Sequence, residues 1–277
     1  MYGYVDLKTL CQYQMLYPRR RCLRGFLCHL LRARDVSTQT QITKFTIMQN
    51  DVRDKQYLFS TADQDIFLTS DLHLGHENII RFCDRPFTNA NAMDEALVER
   101  WNAVVKDNDI VFVLGDIAFG GAQLYDRYLP RLKGRKYLVY GNHDFKNMRD
   151  RYMRYFEQVA LKMFISVDGQ PIILNHEPLL CFGGQLNNRT WHLFGHVHTN
   201  KTGKRGCDSE RVRTMCTLTM YDVGVDFNDF TPVRFQDVKA QIARQKKLRM
   251  NFVELYEYDH SSRLKQFFLR LRNRLSK

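Results

Sequence analysis

Five times along this chain a short apolar run stops at a polar motif. Ile66-Phe67-Leu68-Thr69 leads to Asp71-Leu72-His73, and Ile110-Val111-Phe112-Val113-Leu114 leads to Gly115-Asp116. Tyr137-Leu138-Val139-Tyr140 leads to Gly141-Asn142-His143-Asp144. Pro171-Ile172-Ile173-Leu174 leads to Asn175-His176-Glu177, and Trp191-His192-Leu193-Phe194 leads to Gly195-His196-Val197-His198. Runs this short, rich in β-branched and aromatic side chains, read as buried strands rather than helices. Helical patterns fall between several of them, so the chain is expected to form an α/β fold. Open α/β sheets build their sites just past the carboxyl ends of their strands. Residues far apart in sequence are therefore expected to meet at one rim.

The intervening elements follow from spacing. Ala92, Ala96, Leu97, Trp101, Val104 and Val105 predict a helix over 92–106, with Trp101 in the core. Asn89 or Asn91 can cap it, and Asp94 and Glu95 suit its first turn. Further helices are expected over 125–132 and 149–159, and a further strand over 218–225. Asp168-Gly169, between two apolar runs, is a hairpin signal. Three regions result: an N-terminal extension over 1–65 without a regular pattern, a domain over 66–233, and a basic, partly amphipathic helical tail over 234–277.

Charge follows the same division. The chain carries a net charge of +12. Residues 66–233 hold twenty basic and twenty acidic side chains and are neutral; residues 1–65 hold ten and six, and residues 234–277 hold twelve and four. The basicity belongs to the ends, not to the motif-bearing stretch. In residues 262–277, Leu264, Phe267, Phe268, Leu271 and Leu275 recur at helical spacing among Arg263, Lys265, Arg270, Arg272, Arg274 and Lys277. Such a helix can lay its apolar face on the domain, lie on an anionic membrane surface, or track a nucleic-acid backbone.

The seven cysteines are scattered, odd in number and without a C-x-x-C pair, which argues against a disulfide framework or a zinc knuckle. Reduced thiols fit a cytoplasmic protein, with peripheral membrane association as an addition. The run Leu23 to Leu31 is short, is broken by Arg24 and Gly25, and lacks a cleavage site, so it reads as a short helix packed on the domain. Met48 stands shortly before the first strong strand, which raises the hypothesis that the natural chain starts there.

Taken singly, the motif residues are bland. An Asp after a strand is usually a turn residue or a cap. His196 and His198 say more, because alternate side chains of an extended segment face the same way. What carries weight is concentration: five of the nine histidines stand in these five motifs, beside carboxylates and an amide. Those are ligand types that hold divalent metals.

In this order the motifs resemble the calcineurin-like metallophosphoesterases, whose pattern is D-x-H, G-D, G-N-H-[D/E], a lone His and G-H-x-H. The resemblance spans about 66–230. Asp71 to Ile80, the Arg85-Pro86-Phe87 turn and Gly224-Val225-Asp226 further resemble small bacterial and phage phosphoesterases. The resemblance implies a four-layer α/β sandwich, two mixed β-sheets flanked by helices. It implies that Asp71, His73 and His198 bind one divalent metal, that Asn142, His176 and His196 bind a second, and that Asp116 bridges them. Manganese is the first expectation, with iron or zinc also fitting. Metal-activated water would then hydrolyse a small phosphomonoester or a phosphodiester. His143 would protonate the leaving oxygen, with Asp144 orienting it. His76, Asn78 and Arg85 are weaker candidates for substrate contact.

Two departures narrow the activity. Gly115-Asp116-Ile117-Ala118-Phe119-Gly120 lacks the downstream Asp-Arg-Gly of the protein Ser/Thr phosphatases, and Asp144 stands where those enzymes carry Glu. A small phosphoester or nucleotide-like substrate is expected instead. The alternatives are a nuclease or cyclic-nucleotide phosphodiesterase, and a non-catalytic metal-bound interaction module.

Overall fold

The computed structural model describes residues 57–144, 150–199, 212, 214–263, 265–267 and 269. The expectations for 1–56, including the helix over 23–31 and the start at Met48, lie outside the described residues, as does most of the apolar stripe of the tail.

Among the described residues, ten strands form two mixed sheets. The first sheet contains β2 (Ile66–Thr69), β3 (Ile110–Val113), β4 (Arg135–Val139), β5 (Phe156–Ala160) and β10 (Val233–Arg234), in the order β10-β2-β3-β4-β5. All its pairs are parallel except β10 with β2. The second contains β1 (Tyr57–Phe59), β6 (Met163–Val167), β7 (Gln170–Leu174), β8 (Trp191–Phe194) and β9 (Met220–Asp222), in the order β1-β6-β7-β8-β9. Here only β6 and β7 are antiparallel. They are joined by the expected two-residue turn, Asp168 and Gly169, both at positive φ as such a turn requires.

Although β2 and β3 are buried along their whole length, their residues still alternate between two cores. Ile66, Leu68, Ile110 and Phe112 face the second sheet and meet Ile165, Ile172, Leu174 and Leu193. Phe67, Val111 and Val113 face the other way, onto Met93, Leu97 and Trp101 of α2 (Ala90–Val104) and Tyr125 and Tyr128 of α3 (Ala122–Tyr128). Asn89 caps α2 by accepting the Ala92 N–H at 2.9 Å. Ile79 of the short α1 (Glu77–Phe82) joins the same core. The architecture is therefore α/β, two mixed sheets with flanking helices. On the outer face of the second sheet, Leu58 and Phe164 are exposed, and the segment 177–190 packs on β8 at His192. His192, fully buried there, accepts the Leu179 N–H at 2.9 Å and contacts Phe182.

Three expectations need correction or adjustment. Of the helix expected over 149–159, the described residues 150–159 form instead a 3₁₀ turn, Asp150–Tyr155, that runs into β5, the edge strand beside β4. Tyr152, Phe156 and Val159 mimic helical spacing, but the pairing available at the sheet edge overrides it. The strand expected over 218–225 is confined to Met220–Asp222. β1, inside the stretch read as an extension, pairs with β6.

The basic tail begins as structure integral to the domain. α4 (Phe235–Leu248) and α5 (Phe252–Asp259) bury Phe235, Val238, Ile242, Phe252 and Val253 in the core between the sheets. Leu269 packs against the cluster of Met250, Leu255 and Tyr258. Among the described residues, no helix is long and apolar enough to cross a membrane.

Candidate metal centre

Strand ends deliver the motif residues to one rim. β2 presents Asp71 and His73, β3 presents Asp116, and β4 presents Asn142 and His143. From the second sheet, β7 presents His176 and β8 presents His196 and His198. The turns after β2 and β3 are joined by backbone bonds: Asp71 N–H to Gly115 O at 3.1 Å, His73 N–H to Asp116 O at 3.0 Å, and Leu74 N–H to Ile117 O at 2.9 Å.

This rim holds strained backbone. Asp71, His73, Asp116, His196 and His198 have φ between 47° and 72°, and they are five of the eleven described non-glycine residues at positive φ. That conformation is disfavoured for any residue with a Cβ, and its clustering is typical of functional sites. Two glycines allow the close approach. A Cβ on Gly141 would overlap the Asp116 carboxylate, and one on Gly195 would overlap Asp71 and Ser70.

The side chains converge on Asp116. Its Oδ2 lies 3.5 Å from His73 Nε2 on one flank and 3.4 Å from His176 Nε2 on the other. On the first flank, single ligand atoms of Asp71, His73 and His198 lie within 4.8 Å of one another. On the second, Asn142 Oδ1 lies 3.0 Å from both His176 Nε2 and His196 Nδ1, which are 3.2 Å apart. All seven expected ligand residues are thus brought together.

Each flank fixes an imidazole from behind. His176 Nδ1 lies 2.7 Å from the Leu114 carbonyl, so it donates there and Nε2 turns its lone pair to the cluster. His198 Nδ1 lies 2.8 Å from Asp226 Oδ2, which assigns the same tautomer. Asp226 in turn takes a two-pronged bond from Arg85, both contacts at 2.8 Å.

Do these residues fit divalent cations? Asp71 Oδ1 and His73 Nε2 are buried without a hydrogen-bond partner, 4.0 Å apart. Burial, with His198 and Arg85 adding positive charge nearby, pushes His73 well below the usual imidazole range and keeps it neutral. On the other flank, the lone pairs of Asn142 Oδ1 and His176 Nε2 face each other unless a positive charge sits between them. In the metal-free chain that charge is a proton: burial opposes it, but Asp116 and Asp71 hold His176 up at about 9. Orphaned acceptors, neutral nitrogen donors and carboxylates that want a positive neighbour are what a mixed N/O metal site requires.

The remaining candidates are placed differently. The His143 backbone N–H donates to Asp116 Oδ1 at 2.9 Å, and its ring stands 5.3 Å from His73 at the mouth. Asp144 does not orient that ring, which corrects the expected role. Its carboxylate is buried and accepts from Asp116 N–H, Gly141 N–H, Ile117 N–H and the Tyr125 hydroxyl, at 2.8 to 3.1 Å. It holds the Gly115-Asp116 and Gly141 turns together from beneath. Arg85 is also corrected. It is buried, and its donors are committed to Asp226, Leu72 O, Asp71 O and Met93, so none is left for a substrate phosphate. Asn78 is exposed and accepts from Arg81 at 3.3 Å rather than joining the cluster. His76 does join it, Nδ1 to Nδ1 of His73 at 3.3 Å.

Sequence reasoning missed the supporting role of Asp226 and the placement of Tyr125 beneath Asp144. The signal for Asp226 was present in Gly224-Val225-Asp226 and Arg85-Pro86-Phe87 together, since a buried arginine needs a carboxylate. Tyr125 carried no such mark.

The calcineurin-like phosphoesterase family profile matches residues 65–214. An uncharacterised protein of Methanocaldococcus jannaschii is 30% identical over 186 residues, 66% of this chain and 94% of its own length. The gene 66 protein of mycobacteriophage L5 is 31% identical over 160 residues, 48% of this chain and 77% of its own. A crystallised protein of Aquifex aeolicus is 24% identical, with 64% of this chain and 99% of that one covered at a TM-score of 0.49. The chain belongs to the calcineurin-like phosphoesterases.

Proposed function

We propose that this protein is a metal-dependent phosphoesterase that takes two divalent cations, manganese first, and hydrolyses a small phosphomonoester or a nucleotide-like phosphodiester. The observation that carries the reading is the convergence of Asp71, His73 and His198 on one side of Asp116, and of Asn142, His176 and His196 on the other. Each trio would hold one cation, and Asp116, with two carboxylate oxygens, would serve both. When bound, the pair supplies Lewis-acid polarisation of a phosphoryl oxygen and an acidified water for in-line attack.

The chain's own residues do the rest. Neutral imidazoles and one amide limit the negative charge around the cations and leave them electrophilic. Mixed N/O ligation suits Mn, Fe or Zn better than Ca. His143 is partly exposed at the mouth, its Nε2 3.9 Å from Asp116 Oδ2, and would give the leaving oxygen a proton. Asp144 and Asp226 act through others: one fixes the turn that carries Asp116, the other fixes the His198 ring. The scattered cysteines, odd in number and without a C-x-x-C pair, support a reducing, cytoplasmic location.

The test strips the protein with chelator, refills it with Mn²⁺, and follows an aryl phosphate monoester beside the matching bis-aryl diester. Turnover that needs metal and is lost in Asp116→Asn is expected. His143→Ala should cut turnover about 10²–10⁴-fold with both metals retained, by elemental analysis. Two metals bound with no turnover of either ester would favour the non-catalytic module.

A further inference from the structure

The mouth of the centre is not polar on all sides. Phe119 and Phe82 are 38% and 48% exposed, and both belong to one row of rings that starts at the ligands. His73 lies 5.3 Å from His76; His76 stacks on Phe119 at 4.0 Å and 19°; Phe82 meets His76 edge-on at 6.5 Å. Phe119 also lies 5.0 Å from His143. Arg81 closes the outer end, its guanidinium 5.6 Å from the Phe82 ring centre.

Isolated exposed aromatics are ordinary on protein surfaces, but a contiguous group beside a candidate active site is not. Packing does not account for this one. Phe119 stands between Ala118, which is buried, and the turn Gly120-Gly121, where a polar residue would serve. Its backbone is fixed: the Phe119 N–H donates to Leu74 O at 2.9 Å, and Leu74 and Ala118 form a parallel bridge. By contrast, Phe87 and Phe230, which pair at 5.0 Å, are half-buried against the core and sit under the Arg100 guanidinium. The stacked pair of His76 and Phe119 gives the exposed wall a common plane, Phe82 flanks it edge-on, and Phe119 lies one ring beyond His143.

Building on the phosphoesterase reading, we propose that His76, Phe119 and Phe82 form a base-stacking wall, and that the substrate is a nucleotide-type phosphoester whose base lies on it. A nucleotide carries its base one sugar away from its phosphorus. A phosphate at the centre would therefore leave the base to reach the wall. Stacking tolerates any base, since every base has a π-face, and its loss changes affinity by roughly 5- to 150-fold. Arg81 adds a cation at the outer end, suited to a neighbouring phosphate.

Calorimetry on the Mn²⁺-loaded protein tests this with adenosine 5′-monophosphate and ribose 5-phosphate, which share the sugar phosphate and differ at C1, where one carries the base and the other a hydroxyl. The nucleotide should bind at least fivefold tighter. That ratio should fall toward one in Phe119→Ala, fall by a smaller factor in Phe82→Ala, and survive in Phe119→Tyr, which keeps the flat ring. Equal affinities in the native protein, or a ratio unmoved by both alanine variants, would overturn the wall. The aryl-diester assay separates the two readings. Turnover without a base preference removes only the wall; no turnover and no binding of either ligand removes the wall and the phosphoesterase reading together.

Discussion

Asp226 and Asp144 lie at similar depth behind the two flanks of the metal centre, yet their surroundings treat them in opposite ways. Burial works against the charge on both. At Asp226 the Arg85 guanidinium and the His198 ring outweigh it and hold the carboxyl at about 2. At Asp144 burial prevails and pushes the carboxyl up to about 6, against the pull of the Gly141, Ile117 and Asp116 N–H groups. A guanidinium brings a full charge, while amides bring only dipoles. Support behind His198 is therefore concentrated in one ion pair. Support behind Asp116 is spread over four hydrogen bonds.

The largest effect should come from breaking the concentrated side. Asp226→Asn removes the anion paired with the buried Arg85, and one-sided loss of a buried pair costs about 3–5 kcal/mol. It also frees the His198 ring, and loss of such a partner typically lowers metal affinity about 10–100-fold. Urea unfolding and metal titration at pH 5 or above measure both. A cost under about 1 kcal/mol would show that the pair is not the support described here.

Asp144→Asn should cost less, about 1–3 kcal/mol at pH 4–5, because the amide sets two N–H groups among the surrounding donors where the protonated acid sets one O–H. The comparison sharpens with pH in the chelated protein. Asp226 is held below its ordinary 3.8, so its stabilisation is present above that pH and is lost as pH falls toward about 2. Asp144 is raised above 3.8, so its contribution is present below that pH and is lost as pH rises through about 6. The Asp226→Asn penalty should shrink toward acid and the Asp144→Asn penalty should shrink toward neutrality. Each change should be on the order of 2–3 kcal/mol. Slopes of the same sign would remove the distinction between the two supports.

How much of this was legible beforehand depends on distance along the chain. β2, β3, β4 and the β6–β7 hairpin were readable because local runs and turn residues fix them, and the rim followed because each run ends in its own motif. β5 was not, since Phe156–Ala160 is a strand only by virtue of β4 beside it. Arg85 and Asp144 were misread for a related reason. A charged residue near a motif suggests substrate or proton work. What each does is set by partners that only the fold supplies: Asp226, 141 residues from Arg85, and the Asp116 N–H, 28 residues from Asp144.

The smallest effect tests the distributed side most finely. Tyr125→Phe deletes one of the four donors to Asp144, the hydroxyl 3.1 Å from Oδ1, and keeps the ring stacked on Tyr152 at 5.1 Å. Three N–H groups still hold the carboxylate, while the Ala118 N–H, which also faces the hydroxyl, loses that oxygen. The cost should be about 0.5–1.5 kcal/mol by urea unfolding, the net value of one hydrogen bond. Asp116 should stay in place, because its own N–H still reaches Asp144 Oδ2 at 2.8 Å, and metal binding should change by less than about threefold. If Tyr125→Phe instead approached the cost of Asp226→Asn, the four bonds would be acting as one cooperative unit. The supposed contrast between concentrated and distributed support would then be a contrast of chemistry alone, charge on one flank and dipoles on the other.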